Sequence, residues 1–356
     1  MRRLAAIGVL AAALASDAGA QPFSGGPVPS RAPSSLRALV STAAGPILVS
    51  WARNERYAER RGRSLARRPF ITERGGTLFL GREPGHSGSI DRRTYAARPD
   101  AFTFADRLAP YTEFLLAQAR RGRRTLVATT VRGRPAWRTA LPLRANDCAG
   151  LPAGAATVWM SRSTLLPLRV VERRGRVTSV TGFRYRSLGA RLPASDFATP
   201  PLGPDPFVVD HGFRRTSPAA AAANLSYRPE LPTVLPPGFV RTVSGWAPLS
   251  RQTGAEGSNP RKRELFAAVY RRGFARIDVT QRLAGRRGWL ADPFGGECVF
   301  QFEERARVGG VSARYGAGPQ TVPHLYWREG RVLFTVSGPL PKADLLAIAR
   351  SLRRVP

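Results

Sequence analysis

The sequence predicts an α+β protein built from two modules. Three observations predict it: short apolar runs separated by Gly-bearing turns at hairpin spacing, two stretches of helical periodicity, and a Pro-rich break around Pro204 that divides the chain. The length alone favours about two domains over one.

The N-terminus, residues 1–20, has the layout of a secretory signal. Arg2 and Arg3 supply the positive end, Leu4 to Ala15 an apolar run, and Ala18-Gly19-Ala20 a small-residue cleavage site. The run is shorter than the roughly 20 apolar residues that span a bilayer. The expected product is exported to the periplasm or another extracytoplasmic space and begins near Gln21, with an uncleaved N-terminal anchor as the alternative. Residues 21–34, rich in Pro, Gly and Ser, read as a flexible lead-in.

Within residues 35–204, the first module, Ser35 to Ala44 is expected to form a short helix and Pro46 to Trp51 a first buried strand. Arg53 to Arg68 is crowded with Arg and reads as an exposed helix or a ragged edge. Shorter strands are expected at Pro69–Ile71 and Gly76–Leu80. Leu108, Tyr111, Leu115, Leu116 and Ala119 recur at helical spacing, which predicts an amphipathic helix over Ala105 to Arg121. The hairpin Thr125 to Leu143 turns at Arg132-Gly133-Arg134, and the next, in the stretch Thr157 to Pro201, turns at Arg173-Arg174-Gly175-Arg176.

Pro200, Pro201, Pro204 and Pro206 mark a stretch that no central strand tolerates. Residues 205–230 therefore read as linker, with Ala219 to Ala223 as linker or short helix. The second module, residues 231–356, opens at Leu235-Pro236-Pro237-Gly238-Phe239. It continues through hairpins turning at Arg271-Arg272-Gly273 and Arg328-Glu329-Gly330-Arg331. It closes on a helix whose Leu345, Ile348, Ala349 and Leu352 share one face.

A formal charge of +32 would ordinarily raise nucleic acid as a partner. Export argues against it, and so does composition: the basic residues are Arg except at Lys262 and Lys342, a pattern that GC-rich codon usage explains without a binding face. No nucleic-acid partner is expected. A surface this basic still attracts anionic membrane or envelope polymer in a salt-sensitive way, and a merely solvated surface is the alternative.

Cys148 and Cys298, one in each module, are a disulfide candidate in an exported chain. Bridging them would close a loop of about 150 residues and contribute roughly 5 kcal/mol. Two unpaired buried thiols are the alternative.

No catalytic set is evident. His86, His211 and His324 are isolated, without metal-ligand spacing, and phosphate-binding loops and nucleophile elbows are absent. Glu303 and Glu304 are adjacent and so face opposite ways on a strand. The chain is therefore not expected to be an enzyme, nor to hold a metal or cofactor. Candidate ligand-binding residues are the strand aromatics of the first module: Trp51, Phe79, Trp137, Trp159, Phe183 and Tyr185. They would line an apolar cavity, or simply fill a core.

Trp159, Leu166-Pro167-Leu168-Arg169, Gly175-Arg176, Phe183, Leu192-Pro193 and Phe197 follow one another as in the closing hairpins of the LolA/LolB-like fold, which the first module resembles. Leu235 to Phe239 and the pattern from Gly310 to Leu352 resemble the C-terminal module of RseB/MucB-like extracytoplasmic proteins. The resemblance implies a LolA-like antiparallel half-barrel with covering helices, followed by a small α+β domain. It implies a non-catalytic regulator or sensor that binds an envelope lipid, a lipoprotein or an anti-sigma factor. A lipoprotein or amphiphile carrier, and a basic scaffold binding anionic envelope surfaces, are the alternatives. Arg53 to Arg68 does not reproduce the Tyr-bearing strand of that family.

Overall fold

Alternation of side chains across the backbone builds two open sheets in the computed structural model, which describes residues 33–53, 56–83, 87–91, 126–143, 152–209, 212–249, 263–272, 275–283, 304–316 and 323–356. The predicted helix over Ala105 to Arg121, Cys148, Cys298, His86, His211, Glu303 and the signal-like N-terminus lie outside the described residues.

The first sheet has twelve strands. One antiparallel meander comprises β1 (Ser35–Thr42), β2 (Gly45–Ala52), β3 (Arg56–Arg61), β4 (Ile71–Arg74), β5 (Thr77–Leu80) and β6 (Ser89–Asp91). A second comprises β7 (Val127–Val131), β8 (Arg134–Leu143), β9 (Gly154–Ser161), β10 (Pro167–Arg174) and β11 (Val177–Leu188). They join where β11 pairs with β1. β12 (Phe207–Val209) adds to the far edge, parallel to β6.

Two expectations fail here. Ser35 to Ala44 is strand, not helix: Leu36, Ala38 and Val40 alternate, are buried on one face, and pair on both sides. Arg56 to Arg61 is an interior strand, not an exposed helix or a ragged edge. Glu59 and Arg60 are buried with partners, while Arg61 pairs with Glu83 at the surface. Tyr57 donates its hydroxyl to Glu59 at 2.6 Å, and Arg60 donates to the carbonyls of Arg67 and Ser195, each at 2.9 Å. Burial lowers the Arg60 guanidinium from its ordinary value, with Asp196 opposing.

One face of β1–β4 is sealed by the chain leaving β11. A 3₁₀ turn at Ala194–Phe197 lays Phe197 and Leu192 on Ala52 and Ala58. Asp196, 3 % exposed, accepts from Arg37 at 2.5 Å and from Ser50 at 3.5 Å. A buried carboxylate is tolerable only with such partners.

The stretch expected as linker carries β12, then β13 (Arg214–Arg215), helix α1 (Pro218–Ala222) and β14 (Glu230–Pro232). The second sheet contains β15 (Val240–Leu249), β16 (Arg263–Arg272), β17 (Ala275–Leu283), β18 (Glu304–Val308), β19 (Val311–Gly316), β20 (His324–Glu329) and β21 (Val332–Ser337). Its order is β13-β15-β16-β17-β21-β20-β19-β18. Helix α2 (Lys342–Arg350) packs Leu345, Ile348 and Ala349 against Phe266, Ile277, Leu325, Trp327 and Phe334. The helix ends at Arg350, two residues before Leu352, the last residue of the predicted face. Leu352 joins the same core from β22 (Leu352–Arg354), which pairs with β14.

β17 is buried on both faces. Ile277 and Val279 enter the apolar core, while Arg276, Asp278, Thr280 and Arg282 lie on the opposite face with His324, Tyr326, Thr335 and Ser337. At one corner of this polar face the two sheets meet. Glu73 of β4 lies 3.6 Å from Arg271 and 3.8 Å from Arg276, and Arg276 donates to Asp278 at 2.7 Å. Among the described residues no helix is long and apolar enough to cross a membrane.

Asp196→Ala leaves Arg37 without its carboxylate and takes an acceptor from Ser50, so it should lower stability by about 3 kcal/mol. A urea midpoint matching the parent chain would show that the 3₁₀ turn does not hold this face.

Candidate binding site

Period-two alternation sorts the six candidate aromatics onto two faces. Trp51, Trp137, Phe183 and Tyr185 share one apolar face with Leu36, Val40, Val49, Val158, Met160 and Val170. Trp51 and Phe183 are buried there, and Tyr185 donates its hydroxyl to the Pro167 carbonyl at 2.6 Å. Phe79 and Trp159 do not join them. Phe79 follows the row Ser50, Ala58, Thr72, under the guanidinium of Arg74. Trp159 pairs with Arg138 and Arg169 on the outer face of the second meander.

Around Trp159 the outer face forms a groove of about 430 Å³. Leu168, Val180 and Gly182 give it an apolar lining, and the β7–β8 turn, Thr130 to Arg132, borders it. That turn is a tight hairpin with positive φ at Arg132 and Gly133 (50° and 75°), the handedness that two-residue hairpins need. The guanidiniums of Arg169 and Arg138 stand 5.2 and 6.0 Å from the Trp159 ring centroid, and the ring itself is half-buried. Cation–π attraction at such sites is worth about 0.5–1 kcal/mol and leaves the donor N–H groups of each guanidinium able to bind an acceptor.

The charge on this face is one-sided. Arg134, Arg138, Arg169, Arg173 and Arg184 are exposed and share the face with Trp159. Within the five strands β7 to β11 Glu172 is the sole carboxylate, and its register with Ala156 and Ser179 puts it on the other face; Asp147, between β8 and β9, lies outside the described residues. The sequence reading singled out Trp159 and missed the arginines. Their signal was present as Arg134/Arg138 and Arg169/Arg173, spaced four apart on strands and therefore on one face.

Among the described residues no cluster of three or more His, Cys, Asp or Glu could hold a metal ion. His324 is fully buried and stacks on Tyr326 at 5.9 Å, a core position.

No family model matches the chain, and no curated protein does. Solved structures of MucB are similar to it. MucB in complex with MucA(peri) is 17 % identical with a TM-score of 0.31, and MucB alone is 16 % identical with a TM-score of 0.29. The Pseudomonas aeruginosa MucA/MucB complex is 15 % identical with a TM-score of 0.30. In each case the match covers 90 % of this chain and 92 % of the other.

Burial raises the phenols of Tyr185 and Tyr227 far above their ordinary value and pushes Tyr270 up to about 12, Arg241 opposing. A phenol raised in the folded state favours folding as long as the unfolded chain keeps its proton. That stability should hold to about pH 10 and then fall by about 1.4 kcal/mol per pH unit for each tyrosine still protonated in the fold. Urea unfolding at pH 8 and pH 11 measures the slope, and Tyr185→Phe should flatten it. An unchanged slope in that variant would mean Tyr185 ionises in the fold as freely as in water.

Proposed function

We propose that this chain is a non-catalytic, exported binding protein of the RseB/MucB-like kind. It acts as a regulator or sensor, and its first module engages an anti-sigma-type partner or an envelope lipid or lipoprotein. The half-barrel closed by covering helices, cleavage near Ala20 and the two-module boundary belong to this reading. The observation that carries it is the groove at Trp159, a recessed apolar floor ringed by arginines with no carboxylate on its face among the described residues. Such a surface binds and does not catalyse. The motif resemblance from Trp159 to Phe197 and from Gly310 to Leu352 supports the same reading.

An amphiphile carrier is the second reading. The apolar face bearing Trp51, Trp137, Phe183 and Tyr185 favours it, since burial of each acyl methylene contributes about 0.8 kcal/mol. Purified full-length chain passed over immobilised extracytoplasmic domains of the host's anti-sigma factors should bind one of them saturably, with Kd below about 10 μM. Native mass spectrometry of the same sample reads any acyl species carried through purification. Co-purified lipid with no anti-sigma binding would replace the regulator by the carrier, and neither signal would sink both.

A further inference from the structure

We propose that the Trp159 groove seats an acidic, extended peptide segment of a partner protein, which lays an apolar side chain on the indole and its carboxylates on Arg138 and Arg169. This rests on the binding-protein reading and names the site and the chemistry of what occupies it.

Charge selects an acidic occupant. Arg134, Arg138, Arg169, Arg173 and Arg184 face outward together, and the carboxylate of Glu172 lies behind the sheet. Arginine meets a carboxylate through paired N–H donors, a geometry that specifies orientation as well as sign.

Shape selects a peptide over the other anions. A flat membrane surface reaches exposed arginines but not a half-buried indole in a groove bordered by Thr130 to Arg132. A polyphosphate reaches the arginines and has no use for Leu168 and Val180. An extended peptide offers both kinds of group, because successive side chains alternate in direction. A volume of about 430 Å³ takes one or two large side chains, and the arginines beyond the groove meet the flanking carboxylates.

Gly182 gives a means of testing the groove itself. A Cβ built on it meets nothing within 4 Å, and its φ lies outside the left-handed region, so a side chain there extends into open space above the strand. Gly182→Leu thus occupies the groove while every arginine keeps its charge.

The experiment uses the full chain and a fluorescein-labelled peptide of about twelve residues alternating Asp or Glu with Leu and Phe, followed by anisotropy. The matched peptide with Asn and Gln, phosphatidylglycerol vesicles and inorganic polyphosphate serve as competitors. Saturable binding of the acidic peptide is expected, weakened about tenfold or more by Gly182→Leu and by Arg138→Glu with Arg169→Glu. Arg305→Glu with Arg307→Glu, on the exposed side of β18, should weaken it less than about twofold if the site is local. Binding unchanged by Gly182→Leu overturns the proposal, as does equal binding of the amide peptide. Vesicles or polyphosphate bound in the groove with no peptide binding would do the same and identify a lipid surface or polyanion instead. Circular dichroism of each variant separates lost binding from lost fold. An anti-sigma domain captured equally by the parent and by Gly182→Leu would leave the regulator reading standing and remove only this site.

Discussion

The pairing of β1 with β11 is the contact on which the first sheet depends. Ser35–Thr42 enters the sheet between β2, its neighbour in sequence, and β11, which arrives about 150 residues later. Without that strand there are two separate meanders, each with an open edge. With it there is one sheet, and Val40 and Phe183 meet across it in the same apolar cluster as Trp51 and Met160. Closing so long a loop is entropically unfavourable, and each doubling of length adds only about 0.6 kcal/mol to it. Backbone pairing on both sides of β1 and burial of Leu36, Ala38 and Val40 oppose that entropy. The chain leaving β11 then folds back across the outer side of β1–β4, where Asp196 takes up Arg37 and Phe197 covers Ala58. The clasp and its cover are consecutive in sequence, so each holds the other in register.

Buried charge is the second organising constraint. A chain with 56 Lys and Arg against 24 Asp and Glu cannot pair every cation, so acids placed inside matter disproportionately. Asp196 serves one face of the first sheet, and Glu59 accepts from Tyr57 on the other. Glu73 serves the join between the sheets, facing two arginines at the β16–β17 corner. A carboxylate with two guanidiniums in a dry environment fixes orientation more than it adds stability, because desolvation offsets most of the attraction. That polar corner suits two sheets which must keep a defined relation without fusing into one apolar core.

Much of this was legible in the sequence, and what was missed has a common cause. The hairpins turning at Gly133, Gly175 and Gly330 could be read because each needs positive φ, a local requirement that glycine meets. The helix at Lys342–Arg350 could be read because Leu345, Ile348 and Ala349 form a local stripe. β1 and β3 were misread because a strand's reason for existing is its partner. Arg-Tyr-Ala-Glu-Arg-Arg looks solvated until the Ser195 and Arg67 carbonyls are brought over Arg60. The fully buried polar face of β17 escaped for the same reason. Of the site, Trp159 was singled out by type, but its separation from Trp51, Trp137, Phe183 and Tyr185 depends on register, which the sequence alone leaves open.

That separation decides where function can sit. On the apolar face, each aromatic helps to hold the clasp of β1 and β11, so changing one perturbs the fold before it perturbs a ligand. On the outer face of β7–β11 the same strands carry Trp159, Val180 and four arginines that the clasp does not use, with Arg184 beside them on β11. Exposed arginines with no acid on their face among the described residues repel one another, a modest destabilisation. Their repulsion is relieved when an acid arrives from outside. Among the described residues the outer face of β7–β11 carries arginines and no carboxylate, while the inner face is packed with apolar side chains. The proposed recognition accordingly belongs to the face that gains from a partner.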